Sequence, residues 1–138
     1  MPCELCDQDG GTVLWRSALL RIVQVDDPDY PGFCRVIVGE HVRELTDLTR
    51  EAYTELMHTV WAVERAQRAV LRPDKINVAS LGNLTPHLHW HLIPRFQDDA
   101  HFPQPIWGTR QRNTSPETLA ARHRLAQALG PAIERALT

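Results

Sequence analysis

Three histidines alternate with bulky apolar residues near the middle of the chain. His87, His89 and His91 are separated by Leu88, Trp90 and Leu92. Successive side chains on a β-strand point to opposite faces. The three imidazoles are therefore expected on one face, roughly 7 Å apart, with Leu88, Trp90 and Leu92 in the core on the other. A neutral imidazole nitrogen is a good nucleophile and a good leaving group at neutral pH, so it can bond to phosphorus and be displaced again. The second ring nitrogen must keep its proton and donate it, which fixes the attacking tautomer. Flanking histidines and backbone amides could donate to non-bridging phosphate oxygens as charge shifts. A protonated neighbour could protonate the leaving group. Two other readings fit the same residues: a polar strand face that happens to be rich in histidine, and a metal site on a strand, which no nearby carboxylate supports. Ser80, Gly82 and Asn83 lie just upstream, small or polar groups suited to a phosphate pocket.

The elements that would hold this strand follow from pattern. Residues 12–16 and 19–25 are short β-like runs, joined through Ser17 and Ala18. Residues 26–32 form a turn with two prolines and a glycine, and residues 33–38 read as a strand buried on both faces. A long helix is predicted from about Thr49, its N-cap, to Leu71, where Pro73 stops it. Tyr53, Leu56, Met57, Val60, Trp61, Val63 and Val70 mark its core stripe. Residues 75–81 and 87–94 are the last two strands, and residues 96–112 are irregular. A final helix opens on Ser115 and Pro116 and buries Leu119, Leu125, Leu129, Ile133 and Leu137. Gly130-Pro131 should kink or divide it. Strands, helix, strands, helix is an α+β layout with a mainly antiparallel sheet.

The chain has 138 residues, the length of one ordinary domain, and 43% of them are hydrophobic, enough to fill its core. Its formal net charge is −2. That excludes the basic excess expected of a nucleic-acid or anionic-membrane binder, and no apolar stretch is long enough to span a bilayer. Met1-Pro2-Cys3-Glu4 lacks a basic segment leading into an apolar run, and three cysteines make no disulfide framework, so the cytoplasm is the expected compartment. Cys3 and Cys6 form a Cys-x-x-Cys pair, which alone fits zinc, a redox pair or chance. A redox pair would precede a helix, whereas residues 7–11 read as a turn. Cys34 reads as an inert core residue. His58 and His123 are expected in solvent, and His101 lies in a loop from which it could reach a ligand.

Residues 87–93 match, at every position, the pattern of three histidines alternating with apolar residues and followed by two more. On that match the chain resembles the histidine-triad (HIT) family. Pro94-Arg95, Pro31-Gly32 before a strand, the strand end near His41, the long helix and Asn77 extend the resemblance over about residues 3–96. The stretches 77–83 and 103–107 look like a bacterial branch of diadenosine polyphosphate hydrolase-like proteins. The resemblance implies one HIT domain over residues 1–138, with about five antiparallel strands, one long helix and a C-terminal extension from 97. It implies that His89 attacks the α-phosphate of a purine nucleotide, giving a nucleotidyl-histidine that water hydrolyses. His91 would orient phosphate. Transferases of the superfamily carry glutamine at the third histidine position, so His91 favours hydrolysis of dinucleoside polyphosphates or phosphoramidates over nucleotidyl transfer or mere nucleotide binding. Asn77 is expected to contact ribose or phosphate, or else to bond backbone as a strand-end residue. Asn83 and Thr85 are expected in the phosphate loop, and Asp26 at the ribose or as a cap of its own turn. Relatives that bind structural zinc use such a cysteine pair with histidines in the positions of His41 and His87. In that case His87 anchors the strand instead of touching phosphate. No metal is needed for the chemistry itself, although Mg²⁺ could accompany a polyphosphate. A homodimer through the long helix, with Trp61 and Met57 in the interface, is also implied.

Overall fold

The computed structural model describes residues 2–138; Met1, where the sequence reading looked for the start of a signal segment, lies outside them. The elements are α1 (Glu4–Asp7), β1 (Thr12–Arg16), β2 (Leu20–Gln24), β3 (Cys34–Val38), α2 (Arg50–Leu71), β4 (Lys75–Ala79), β5 (His89–Arg95), α3 (Pro116–Ala126) and α4 (Leu129–Leu137), with a 3₁₀ turn at Leu45–Asp47. The strands form one sheet in the order β1-β2-β3-β5-β4, and every neighbouring pair is antiparallel. This is the expected α+β architecture.

The alternation of side chains divides the sheet into two different faces. Leu20, Ile22, Cys34, Val36, Val38, Leu88, Trp90 and Leu92 fill the main core together with α2 and α4. Trp90, expected on the core face, is 8% exposed there. The opposite face carries Val23, Arg35, Ile37, His89, His91 and Ile93, fixed by the pairing of Arg35 with His91 and of Ile37 with His89. Leu5 of α1 covers Val23 and Ile37. Tyr30, Phe33 and Ala100 cover Ile93. Between these two apolar covers the face stays open over the histidines.

Thr49 caps α2 as expected, its Oγ1 accepting from Ala52 N–H at 3.2 Å. The helix ends on Arg72 in the left-handed region, just before Pro73. The buried stripe differs from the predicted one. Leu56, Val60 and Val63 belong to it, joined by Ala62, Ala66, Gln67 and Leu71, while Tyr53 and Trp61 are exposed. Bulky apolar residues run further round this helix than the face that packs, and the small alanines complete the true contact. Gln67 bridges helix to sheet by donating to the carbonyls of Gly32 and Leu92, both at 2.9 Å.

The C-terminal helix divides at Gln127–Ala128, ahead of Gly130-Pro131. Pro131 then falls in the first turn of α4, where its missing N–H leaves no bond unmade. Ala126 turns inward and Leu125 outward, opposite to the predicted stripe. Cys3 caps and Cys6 lies within α1, a single helical turn that comes just before the turn expected at residues 7–11. Four residues are too few to show a period in sequence.

Candidate active site and metal cluster

β5 starts at His89. His87 sits just before it, where its N–H donates to Thr85 O at 2.8 Å in a tight turn. The predicted three-histidine face is therefore split. His89 and His91 stand side by side, ring centroids 4.8 Å apart and nearly perpendicular, and line a cleft of about 450 Å³. The His87 side chain is fully buried and is not part of that lining. Its backbone faces His89 instead: His89 Nδ1–H donates to His87 O at 2.5 Å. With Nδ1 protonated by that bond, the lone pair rests on Nε2, the nitrogen left for a ligand. Ser80 Oγ donates to His89 O at 2.7 Å and steadies the strand from the other side.

Both imidazoles are biased toward neutrality. Burial lowers the pKa of His89, reinforced by the charge of Arg35 and opposed by the His87 carbonyl. Burial also lowers that of His91, with help from His89 and Arg35, from 6.5 to about 4. His91 Nδ1 is buried without a hydrogen-bond partner. Its ring is held edge-on between Phe33 and Trp107.

At the far end of the same face lies a second cluster. Cys3 Sγ is 3.4 Å and Cys6 Sγ 3.5 Å from His87 Nδ1. Cys6 Sγ is 3.3 Å from His41 Nδ1, and the two Nδ1 atoms are 3.3 Å apart. All four ligand atoms lie within 4.8 Å of one another. Zinc bonds of ordinary length imply tetrahedral edges of roughly 3.3 Å between nitrogens and roughly 3.6 Å between nitrogen and sulfur. The cluster therefore fits zinc closely. His87 Nε2–H donates to Val38 O at 2.5 Å, which leaves the Nδ1 lone pair directed at the cluster. Metal-bound histidines are commonly oriented by such a bond.

The HIT domain family model matches residues 8–98. The chain belongs to the HIT family. It is 34% identical over 113 residues to an AP-4-A phosphorylase from Mycobacterium tuberculosis H37Rv, covering 78% of this chain and 57% of that one. It is 30% identical over 95 residues to an asymmetrical bis(5'-nucleosyl)-tetraphosphatase from Schizosaccharomyces pombe, covering 65% and 52% respectively. The chain thus spans little more than half the length of these curated relatives. Among solved structures, a histidine triad protein from Marinobacter aquaeolei VT8 superposes with a TM-score of 0.76 at 27% identity, over 98% of this chain and 96% of that one. One from Bradyrhizobium japonicum gives 0.73 at 28%, over 94% and 92%. A Zn-bound histidine triad family protein from Mycobacterium smegmatis shares the fold at 0.64 and 19% identity, over 98% and 95%.

Within this HIT domain, Asn83 and Thr85 line the cleft with His89 and His91. Asn77 does not; its Oδ1 accepts from Arg95 Nη1 at 2.7 Å. Asp26 is exposed and also outside the lining. Its neighbour Asp27 is the residue that caps the turn, accepting from Asp29 N–H at 2.9 Å. His101 is taken up by the Tyr30 hydroxyl at 2.5 Å. Cys34 is fully buried, and burial pushes its thiol up to about 12. Arg35, Trp107 and Glu4 line the cleft without having been singled out by type or spacing. The signal for Arg35 was one charge in an otherwise apolar strand, two residues from Phe33 and from Ile37 and so on their face.

Proposed function

We propose that this HIT domain hydrolyses nucleotides at the α-phosphate, with His89 as nucleophile. The observation that carries the reading is the bond from His89 Nδ1–H to the His87 carbonyl, which leaves Nε2 as the lone-pair nitrogen of a cleft-lining residue. Nε2 attacks the α-phosphorus and a P–N bond forms. The bond from phosphorus to the leaving-group oxygen or nitrogen breaks, and its electron pair departs with the leaving group, which takes up a proton from solvent when it is an amine. Water then attacks phosphorus, the P–N bond returns its pair to Nε2, and the water proton passes to solvent. His91, Asn83 and Thr85 hold the non-bridging oxygens. Asn77 and Asp26, the other expected nucleotide contacts, do not line the cleft.

The substrate class is a dinucleoside polyphosphate or nucleoside phosphoramidate, with a purine base. The names of the two relatives support the first, and histidine at position 91 supports hydrolysis over transfer. Mg²⁺ would accompany a polyphosphate as its counterion. Cys3, Cys6, His41 and His87 would hold a structural zinc, which supplies no step of the chemistry. The domain would pair with a second copy along α2, where Trp61 is 52% and Tyr53 45% exposed. No helix of the described residues is long and apolar enough to cross a membrane, and a cytoplasmic location is part of this proposal.

Incubation with labelled diadenosine tetraphosphate and with adenosine phosphoramidate, followed by a denaturing quench at alkaline pH, should trap an adduct on His89 that is released on later acidification. His89→Ala should lose the adduct and several orders of magnitude in turnover, while nucleotide binding stays within a few-fold. Near-native turnover in that variant would refute the mechanism. A wild-type protein that converts substrate only when inorganic phosphate is added would make it a phosphorylase.

A further inference from the structure

Arg35 stands in the middle of the sheet, on β3, where a guanidinium is costly to place. It is half-buried, its Nε is enclosed without any hydrogen-bond partner, and Nη1 makes only a long bond of 3.4 Å to Gly10 O. Its plane lies over Phe33, 5.6 Å from the ring centre. No carboxylate of the described residues comes within ion-pairing distance of it. Glu4, which also lines the cleft, is the one acid whose field partly offsets the cost of burial, which lowers the pKa of Arg35. Buried arginines are ordinarily paired. Arg21, two residues away across the sheet, shows the structural alternative: its Nε donates to the carbonyl of Asp9 and its Nη2 to those of Leu5 and Gln8.

His89 turns the lone pair of Nε2, not a donor, to the cleft. Among the described residues that line the cleft, Arg35 is the one permanent cation. Its place is specific. It pairs across the strands with His91 and is diagonal to His89, which faces Ile37. Diagonal neighbours on one sheet face are roughly 7–8 Å apart, within reach of a long arginine side chain but one step removed from the atom that His89 attacks.

Resting on the nucleotide-hydrolase reading above, we infer that Arg35 binds the phosphate next to the α-phosphate, in the leaving group, and so selects nucleotides with an anionic polyphosphate leaving group over those with a neutral amine. The unpaired Nε and the terminal nitrogens offer a phosphate the forked contact that guanidinium makes well. The charge would meet the electron pair that collects on the departing oxygen.

Two measurements separate this role from a merely structural one. The first is calorimetric titration of inorganic tripolyphosphate into His89→Ala protein, with and without Arg35→Gln, at low and high salt. Arg35→Gln should weaken binding ~10–100-fold, as expected for loss of a charged hydrogen bond, and should flatten the salt dependence. Arg35→Lys should restore part of the affinity. The second is the ratio of kcat/KM for diadenosine tetraphosphate to that for adenosine phosphoramidate in the His89 protein, which should fall ~10-fold or more in Arg35→Gln. Equal tripolyphosphate affinity with and without Arg35, or an equal loss on both substrates in Arg35→Gln, would overturn the inference. Because tripolyphosphate binding needs no nucleophile, an arginine-dependent affinity in a protein that cleaves neither substrate would sink the hydrolase reading and leave the anion site standing.

Discussion

His89 can attack only while its Nε2 is unprotonated, so the pH profile is decided by what surrounds it. Burial moves the pKa of His89 below the ordinary 6.5 and that of His91 to about 4. The acid limb of kcat/KM should therefore lie below pH 6.5, with activity level through neutrality; a limb centred at or above pH 7 would show that the site favours imidazolium. The same shift bears on stability. A group whose folded pKa is lowered holds fewer protons in the fold than in the unfolded chain, so its contribution is complete above pH 6.5 and is lost as pH falls toward 4. For His91 that contribution is no more than about 3 kcal/mol. Denaturant unfolding at pH 7 and pH 4.5 should show a smaller difference in His91→Asn than in the native protein. The alternation of His89 and His91 with Trp90 and Leu92 was enough to put the pair on one face and the core on the other. It was not enough to place His87, because the turn at Thr85 lies outside any strand period. Nor could it show Arg35, whose meaning depends on which residue of β5 lies opposite.

The elements around the cleft were legible to different degrees, for reasons of length. Five-residue strands with clear alternation and a helix of six turns announce themselves; α1 and the 96–112 segment do not, since neither has a period. That segment is ordered by one buried ion pair. Arg95 Nε donates to Asp99 Oδ2 at 2.7 Å and Nη2 to Oδ1 at 3.1 Å. Asp99 also accepts from the N–H groups of Phe96, His101 and Phe102. Arg95 goes on to Gln104 O and to Asn77, so the sequence's candidate ligand Asn77 serves as part of this brace. Trp107, at the far end of the segment, packs edge-on against His91 with centroids 5.4 Å apart. Asp99 is 2% exposed. Asp99→Ala would leave the Arg95 charge buried and unpaired, which typically costs about 3–5 kcal/mol. The variant should unfold at correspondingly lower denaturant, and limited proteolysis should cut between 96 and 112 before any other region. Native-like resistance in that segment would mean that Trp107 is held by something other than this pair.

At the scale of the molecule, the question is what holds residues 2–10 against the sheet. A helix of one turn has no stability of its own. α1 is kept in place by Leu5, 5% exposed over Val23 and Ile37, by Arg21 gripping the carbonyl of Leu5 and those of Gln8 and Asp9 just after the helix, and by the meeting of Cys3 and Cys6 with His41 and His87. Those four residues come from the N-terminus, the segment after β3 and the turn before β5, and only the fold gathers them. Two thiolates with two imidazoles bind zinc tightly, and the free energy of binding adds to that of folding. α1 also forms a wall of the cleft through Glu4 and Leu5, and His87 presents the carbonyl that sets the tautomer of His89. Purified protein should therefore carry about one zinc per chain by elemental analysis, as four ligands of this type imply. The double variant Cys3→Ser, Cys6→Ser should lose the metal and melt several degrees earlier. Its kcat/KM should fall by a smaller factor than in His89→Ala, because the nucleophile remains and only its support is loosened. Chelator treatment of the native protein should reproduce both effects, and added zinc should reverse them in the native protein but not in the double variant. Metal-free protein of undiminished melting temperature would show that the apolar cover and Arg21 hold α1 by themselves, and that the four residues are neighbours without a metal between them.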